Sequence, residues 1–265
     1  MKEKKKILIT VKTYPVPSKK YDEVVCTAGI TEDGKWIRLY PIEFRKLLYC
    51  NRYKKYDLIE VMTEKRTEDF RKESFKPVGH CKVIRHIDTK NNWAERKDLT
   101  LNKVKIYTSI EKLIKDSKKP NFISLAVFKP TEVLNFIYEK QPHWNKEESK
   151  QLDMFLNDFE RVEKLPFKFK YVFKDETNKT SKLTITDREI GALFLKYILK
   201  YKKDYASACE KVKEKYFYDF AYNKDLYFFL GTAKKWHNIS KNPFSIIGTF
   251  QPPKIADDKQ ILLSF

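Results

Sequence analysis

Apolar and polar positions alternate over much of the first ninety residues, and a period of two describes half-buried strands. "ILITVK" (7–12) reads as a first strand, and the two prolines of "YPVPS" then interrupt regular pairing. "EVVCTAGI" (23–30) and "KWIRLYPI" (35–42) flank "TEDG", whose Asp33-Gly34 pair predicts a tight hairpin turn. In the second arm Ile37 and Leu39 face one way and Trp36, Arg38 and Tyr40 the other. "YDLIEVMTEK" (56–65) sets Leu58, Glu60 and Met62 opposite Ile59, Val61 and Thr63, and "HCKVIRHID" (80–88) reads as a further strand. "EFRKLLYC" (43–50) reads as one or two helical turns.

The pattern then lengthens to a helical period. "WAERKDL" is a short helix, and "TSIEKLIKDS" (108–117) opens with Thr108 and Glu111 at the spacing of a capping box. "NFISLAVFKP" (121–130) is a buried strand ended by proline, "TEVLNFIYEK" (131–140) reads as a helix, and residues 145–165 as a longer amphipathic helix with Leu152, Phe155, Leu156 and Phe159 on one face. Beyond them "LPFKFKYVFKD" (165–175) alternates: Phe167, Phe169, Tyr171 and Phe173 against Lys168, Lys170 and Lys174. "KLTIT" returns as its partner. "DREIGALFLKYILKYKK" and "DYASACEKVKEKYFYDFAYN" predict two helices, and "DLYFFLGT" (225–232) with "FSIIGTFQPP" (244–253) a closing strand pair.

The expected fold class is α+β: a β-rich unit over 1–140, a small barrel or curved sheet, packed without a flexible linker on a mixed α+β unit over 141–265. "YDLIEV", entering after a basic loop, resembles the PUA, ASCH and EVE group of small nucleic-acid-binding barrels over residues 20 to 90. The G-x-K-x-x-E-x-R pattern associated with ASCH domains is absent. The resemblance implies a small barrel that contacts nucleic acid.

Composition turns this layout toward polyanions. The 265 residues carry a formal net charge of +19, which attracts nucleic acid. Of 55 basic residues only nine are arginine, a lysine-rich balance that an AT-rich genome also produces. With six glycines the chain argues against glycine-rich phosphate loops. The cysteines Cys26, Cys50, Cys81 and Cys209 form no C-x-x-C pair and suit free thiols in a reducing cytoplasm. No window approaches the ~20 apolar residues of a membrane span, and the start of the chain has no signal-peptide run.

Several constellations carry candidate chemistry. Trp36, Arg38 and Tyr40 form either a stacking platform for bases, with Arg45 near the strand end, or an interior face covered by a helix. In "EKRTEDFRKESFKP" (64–77), Arg66 and Arg71 suit a phosphate grip oriented by Asp69 and Glu73, or a self-paired loop. Lys168, Lys170 and Lys174, interrupted at Val172, space positive charge at about 7 Å per alternate residue, near the phosphate step of a single strand. Lys234, Lys235 and Trp236 make a basic loop with a stacking tip. In "ITDREIG", Asp187 and Glu189 either hold a divalent cation or cap a helix from Thr186. His80, Cys81 and His86 lack a second ligand cluster at zinc spacing, and His143 and His237 stand alone beside tryptophans.

These residues favour a nucleic-acid-binding protein without its own catalytic centre and without a cofactor, an accessory subunit of a prokaryotic antiviral-defence or mobile-element system. DNA and RNA are equally open. The first alternative is a Mg2+-dependent nuclease using Asp69, Glu73, Asp187 and Glu189. The second is an interaction subunit whose basic surface meets an acidic protein.

Overall fold

The computed structural model describes residues 2–13, 16–18, 22–42, 52–141 and 165–254, with the backbone alone for 16–18 and 22–25. Arg45, Cys50, His143, the helix expected over 145–165 and the turns expected at 43–50 lie outside the described residues.

The first half closes into a five-stranded barrel. Strands β1 (Lys2–Lys12), β3 (Asp22–Thr31), β4 (Trp36–Ile42), β5 (Asp57–Lys65) and β6 (Ser74–His86) run in the order β1-β5-β6-β4-β3, and β3 pairs back onto β1. The short β2 (Val16–Ser18) extends β3. Asp33-Gly34 forms the β3–β4 turn, with Gly34 at φ +76°. The barrel interior is Ile7, Ile9, Ile37, Leu39, Ile59, Val61 and Cys81. Leu8, Val11 and Ala28 point outward and are buried all the same. "ILITVK" is therefore a continuous apolar run because both faces of β1 are covered. Helix α1 (Lys90–Thr100) follows the barrel.

The second half is a seven-stranded sheet in the order β7-β8-β12-β13-β11-β10-β9. Its strands are β7 (Ile106–Tyr107), β8 (Leu125–Phe128), β9 (Glu132–Lys140), β10 (Phe167–Lys174), β11 (Thr180–Ile185), β12 (Tyr227–Thr232) and β13 (Phe244–Phe250). One face packs on α2 (Ile110–Asp116), α3 (Arg188–Lys200), α4 (Tyr205–Lys213) and the π-helical turn Glu214–Tyr222 that continues α4. This core is aromatic: Phe228 stacks on Tyr171 at 5.1 Å between centroids and meets Phe173 at 5.2 Å. The other face, through Leu125, Val127, Phe229 and Ile247, packs on the outside of the barrel. At Gly248 an added Cβ would lie 3.3 Å from both Val11 and Phe229, so barrel and sheet approach closely there. The architecture is α+β.

Three local expectations are corrected. Residues 131–140 are not a helix but strand β9: Val133, Phe136 and Tyr138 turn to the aromatic core, and Glu139 meets Lys170 of β10 at 2.5 Å. The cap of α2 is Ser109, which accepts from the Lys112 N–H at 3.3 Å, while Thr108 donates to Glu176 instead. The cap of α3 is Asp187 rather than Thr186, whose N–H is drawn into a bond with the Ile246 carbonyl at 2.8 Å. Strands β7 to β9 also pair into the second sheet, so its strands begin at Ile106, upstream of the division expected at 140.

Candidate functional site

A cleft of about 670 Å³ opens where the barrel leaves the sheet. Its walls bring together residues far apart in the chain: Arg38, Tyr40, Arg66, Asp69 and Arg71 from the barrel, and Lys168, Asp187, Lys234 and Lys235 from the second half. Six cationic side chains thus face two carboxylates, while Phe167, Phe169, Ile185, Ile190 and Ile247 form an apolar wall.

The barrel side is held by buried charge. Arg71 grips Asp69 with two bonds, Nε to Oδ1 at 2.9 Å and Nη2 to Oδ2 at 2.6 Å, and Ser74 donates to the same carboxylate at 2.7 Å. Burial would raise the Asp69 pKa, but these donors outweigh it and hold the carboxyl well below the usual range. The remaining arm of Arg71 crosses to the second sheet and donates to the Thr232 carbonyl at 2.6 Å. Beside it, Arg38 donates to Ser124 Oγ at 2.9 Å and to its carbonyl at 3.2 Å. Glu73 accepts from the Ser124 N–H and Oγ, both at 3.0 Å. The loop 66–74 is therefore a clamp between the two halves.

The Trp36–Arg38–Tyr40 face is not one open platform. Trp36 meets Phe229 edge-on at 5.9 Å and supports the interface, and Arg38 is buried. Tyr40 lines the cleft beside Arg38, with the Arg66 guanidinium 4.9 Å above its ring. Arg66 also pairs with Glu68 at 2.7 Å. Of the β10 lysines, Lys168 lines the cleft, Lys170 is paired with Glu139, and Lys174 lies 3.8 Å from Glu132.

Lys234 and Lys235 stand at the mouth, and Lys235 lies 4.7 Å over the ring of Trp236, which is 47% exposed. This turn is anchored by His237, fully buried, which bonds Thr232 Oγ1 at 2.7 Å and the Ser117 carbonyl at 2.8 Å. Burial lowers the His237 pKa. The side chain is thus a strut. Phe70 packs on it at 5.1 Å, so the tip is built from both halves.

Asp187 is the one carboxylate of the cleft without a full set of partners. It is 1% exposed. Oδ1 accepts from the Glu189 N–H at 3.2 Å, whereas Oδ2 makes no hydrogen bond and the Lys55 Nζ stands 3.9 Å away. Burial pushes its pKa up to about 7, against the pull of Lys55. Glu189 turns outward to Lys55 at 2.9 Å. Three of the four carboxylates of the nuclease alternative are engaged in structural pairs: Asp69 and Glu73 serve the clamp, and Glu189 serves Lys55. Among the described residues no three His, Cys, Asp or Glu side chains gather as a metal site. His86 bonds Asp57 at 2.6 Å, and Cys81 points into the barrel.

Sequence reasoning named Tyr40 and Asp187 but missed the cleft itself and its apolar wall residues Ile185, Ile190 and Ile247. Apolar Phe167 beside Lys168, and Gly231 before a basic turn, were the available signals.

Fold and site together define a barrel docked on a helix-backed sheet, with a basic cleft at the junction. Residues 106–264, more than half of the chain, match the family described as a domain of unknown function (DUF8757), and the chain belongs to that family. Residues 3–102 match a second domain of unknown function (DUF8758). No curated protein matches the chain. Among the described residues no helix is long and apolar enough to cross a membrane.

Proposed function

We propose that the protein binds nucleic acid through the cleft and its rim, without a catalytic centre of its own. The observation that carries this reading is the convergence of Arg66, Lys168, Lys234 and Lys235 on one cleft, beside Tyr40 and the half-exposed Trp236. Cations at that mouth suit phosphates, and the two aromatic rings suit bases. The clamp residues Arg38 and Arg71 contribute field rather than contact, because their donors are spent on Ser124, Asp69 and Thr232. The net charge of +19 supplies the long-range attraction. The lysine-rich composition suits a prokaryotic cytoplasmic setting, with an accessory role in defence or mobile-element machinery.

The test is fluorescence anisotropy of labelled single-stranded DNA and RNA across ~50 to ~200 mM salt, where each phosphate contact adds a slope of about −0.7. Lys234→Ala with Lys235→Ala should weaken binding and flatten that slope. Absence of binding at low salt overturns the proposal, and capture of a protein free of nucleic acid would favour an acidic protein partner. Magnesium-dependent cleavage of the strand would replace it with the nuclease reading.

A further inference from the structure

We infer that the cleft admits one unpaired nucleobase of the bound strand and that the Asp187 carboxyl reads the polar edge of that base. This rests on the nucleic-acid reading above and narrows it.

The cleft has two zones of opposite character. Its mouth carries Lys168, Lys234 and Lys235, all exposed, and the half-buried Arg66. Its inner wall carries Phe167, Phe169, Ile190 and Ile247. A phosphate entering the inner zone would lose its hydration against an apolar surface, which strongly disfavours it. A planar base would not. The strand is therefore held by its backbone at the mouth and can send only a base inward. The volume, about 670 Å³, falls within the range of small-ligand sites and is ample for a nucleobase.

The inner zone is not wholly apolar. Asp187 lines it, is 1% exposed, and its Oδ2 makes no hydrogen bond, holding only a long ion pair to the Lys55 ammonium at 3.9 Å. Buried polar atoms are almost always hydrogen-bonded, so this carboxyl oxygen keeps capacity for a donor. A base edge offers N–H donors and ring acceptors side by side. Burial moves the Asp187 pKa to about 7, so near neutrality the carboxyl is available both as acceptor and as donor. Unpairing costs least where the base is mismatched or already single-stranded, so the site selects for such positions.

The experiment compares three short labelled duplexes with the full chain: fully paired, carrying one unpaired base, and carrying an abasic residue at that position. The unpaired base should bind at least ~10-fold tighter than the abasic duplex, the value of one stacked base. Thr184→Phe places a ring at the cleft wall on strand β11, a position where aromatics are well tolerated. It should erase the preference and leave the salt slope intact. Asp187→Asn keeps the helix cap and should reorder the affinities among the natural bases. Equal binding of all three duplexes, with salt dependence retained, overturns the inference and leaves the broader reading standing. No binding to any duplex or single strand overturns both.

Discussion

Arg71→Met isolates the clamp. The variant keeps most of the side-chain volume but removes the guanidinium that holds Asp69 and reaches Thr232. Both members of the ion pair are buried, with side-chain exposures of 7% for Arg71 and 1% for Asp69. Breaking such a pair from one side strands a buried carboxylate and costs about 3–5 kcal/mol, a large share of the ~5–15 kcal/mol that holds a domain together. Urea unfolding followed by tryptophan fluorescence should show this loss at neutral pH. Adding Asp69→Asn removes the stranded charge, so the double variant should be less destabilised than the sum of the singles, with a coupling of about 0.5–3 kcal/mol. The pH dependence has a definite sign. Asp69 has a folded pKa below its unfolded value, so its contribution is present above the unfolded pKa of ~3.9 and fades as the pH falls below it. The gap between wild type and Arg71→Met should therefore narrow below about pH 4. A loss under about 1 kcal/mol at neutral pH, the range of an exposed pair, or strict additivity in the double variant, would refute the clamp.

Three further outcomes follow from the same geometry. Asp187 has the opposite sign: burial raises its folded pKa to about 7, so stability declines as pH rises from about 4 toward 7. Asp187→Asn should flatten that decline in thermal melts across the range. Gly34→Val puts a side chain at φ +76° with its Cβ 2.5 Å from the Lys103 carbonyl oxygen, and should cost about 1–3 kcal/mol by denaturant unfolding. Phe228→Ala opens the stack between Tyr171 and Phe173 and should cost about 3–5 kcal/mol, seen as a lower urea midpoint.

The barrel was legible because its strands carry alternating stretches and are punctuated by Asp33-Gly34. Period-two patterning also revealed β10 and β11. It failed at β9, where "TEVLNFIYEK" lacks strict alternation because a bulge shifts the register between Val172 and Phe173 of the partner strand. The Trp36–Arg38–Tyr40 face shows the limit for the site. Its alternation was plain, but what covers it comes from Ser124 and Phe229, 86 and 193 positions away from Arg38 and Trp36. Local pattern carries no information about such long-range partners. The same holds for Asp187, which looks like an ordinary helix cap until the barrel is placed beside it.

The outer apolar face of the barrel bears on how the chain is made. Leu8, Val11 and Ala28 are made about 200 residues before Phe229, Ile247 and Phe250, which form part of their cover. Until those later strands are made, part of the barrel's apolar flank stays uncovered. A nascent chain in that state is a substrate for chaperones and a hazard for neighbours. Strands β12 and β13 thus end the vulnerability of β1 and β3.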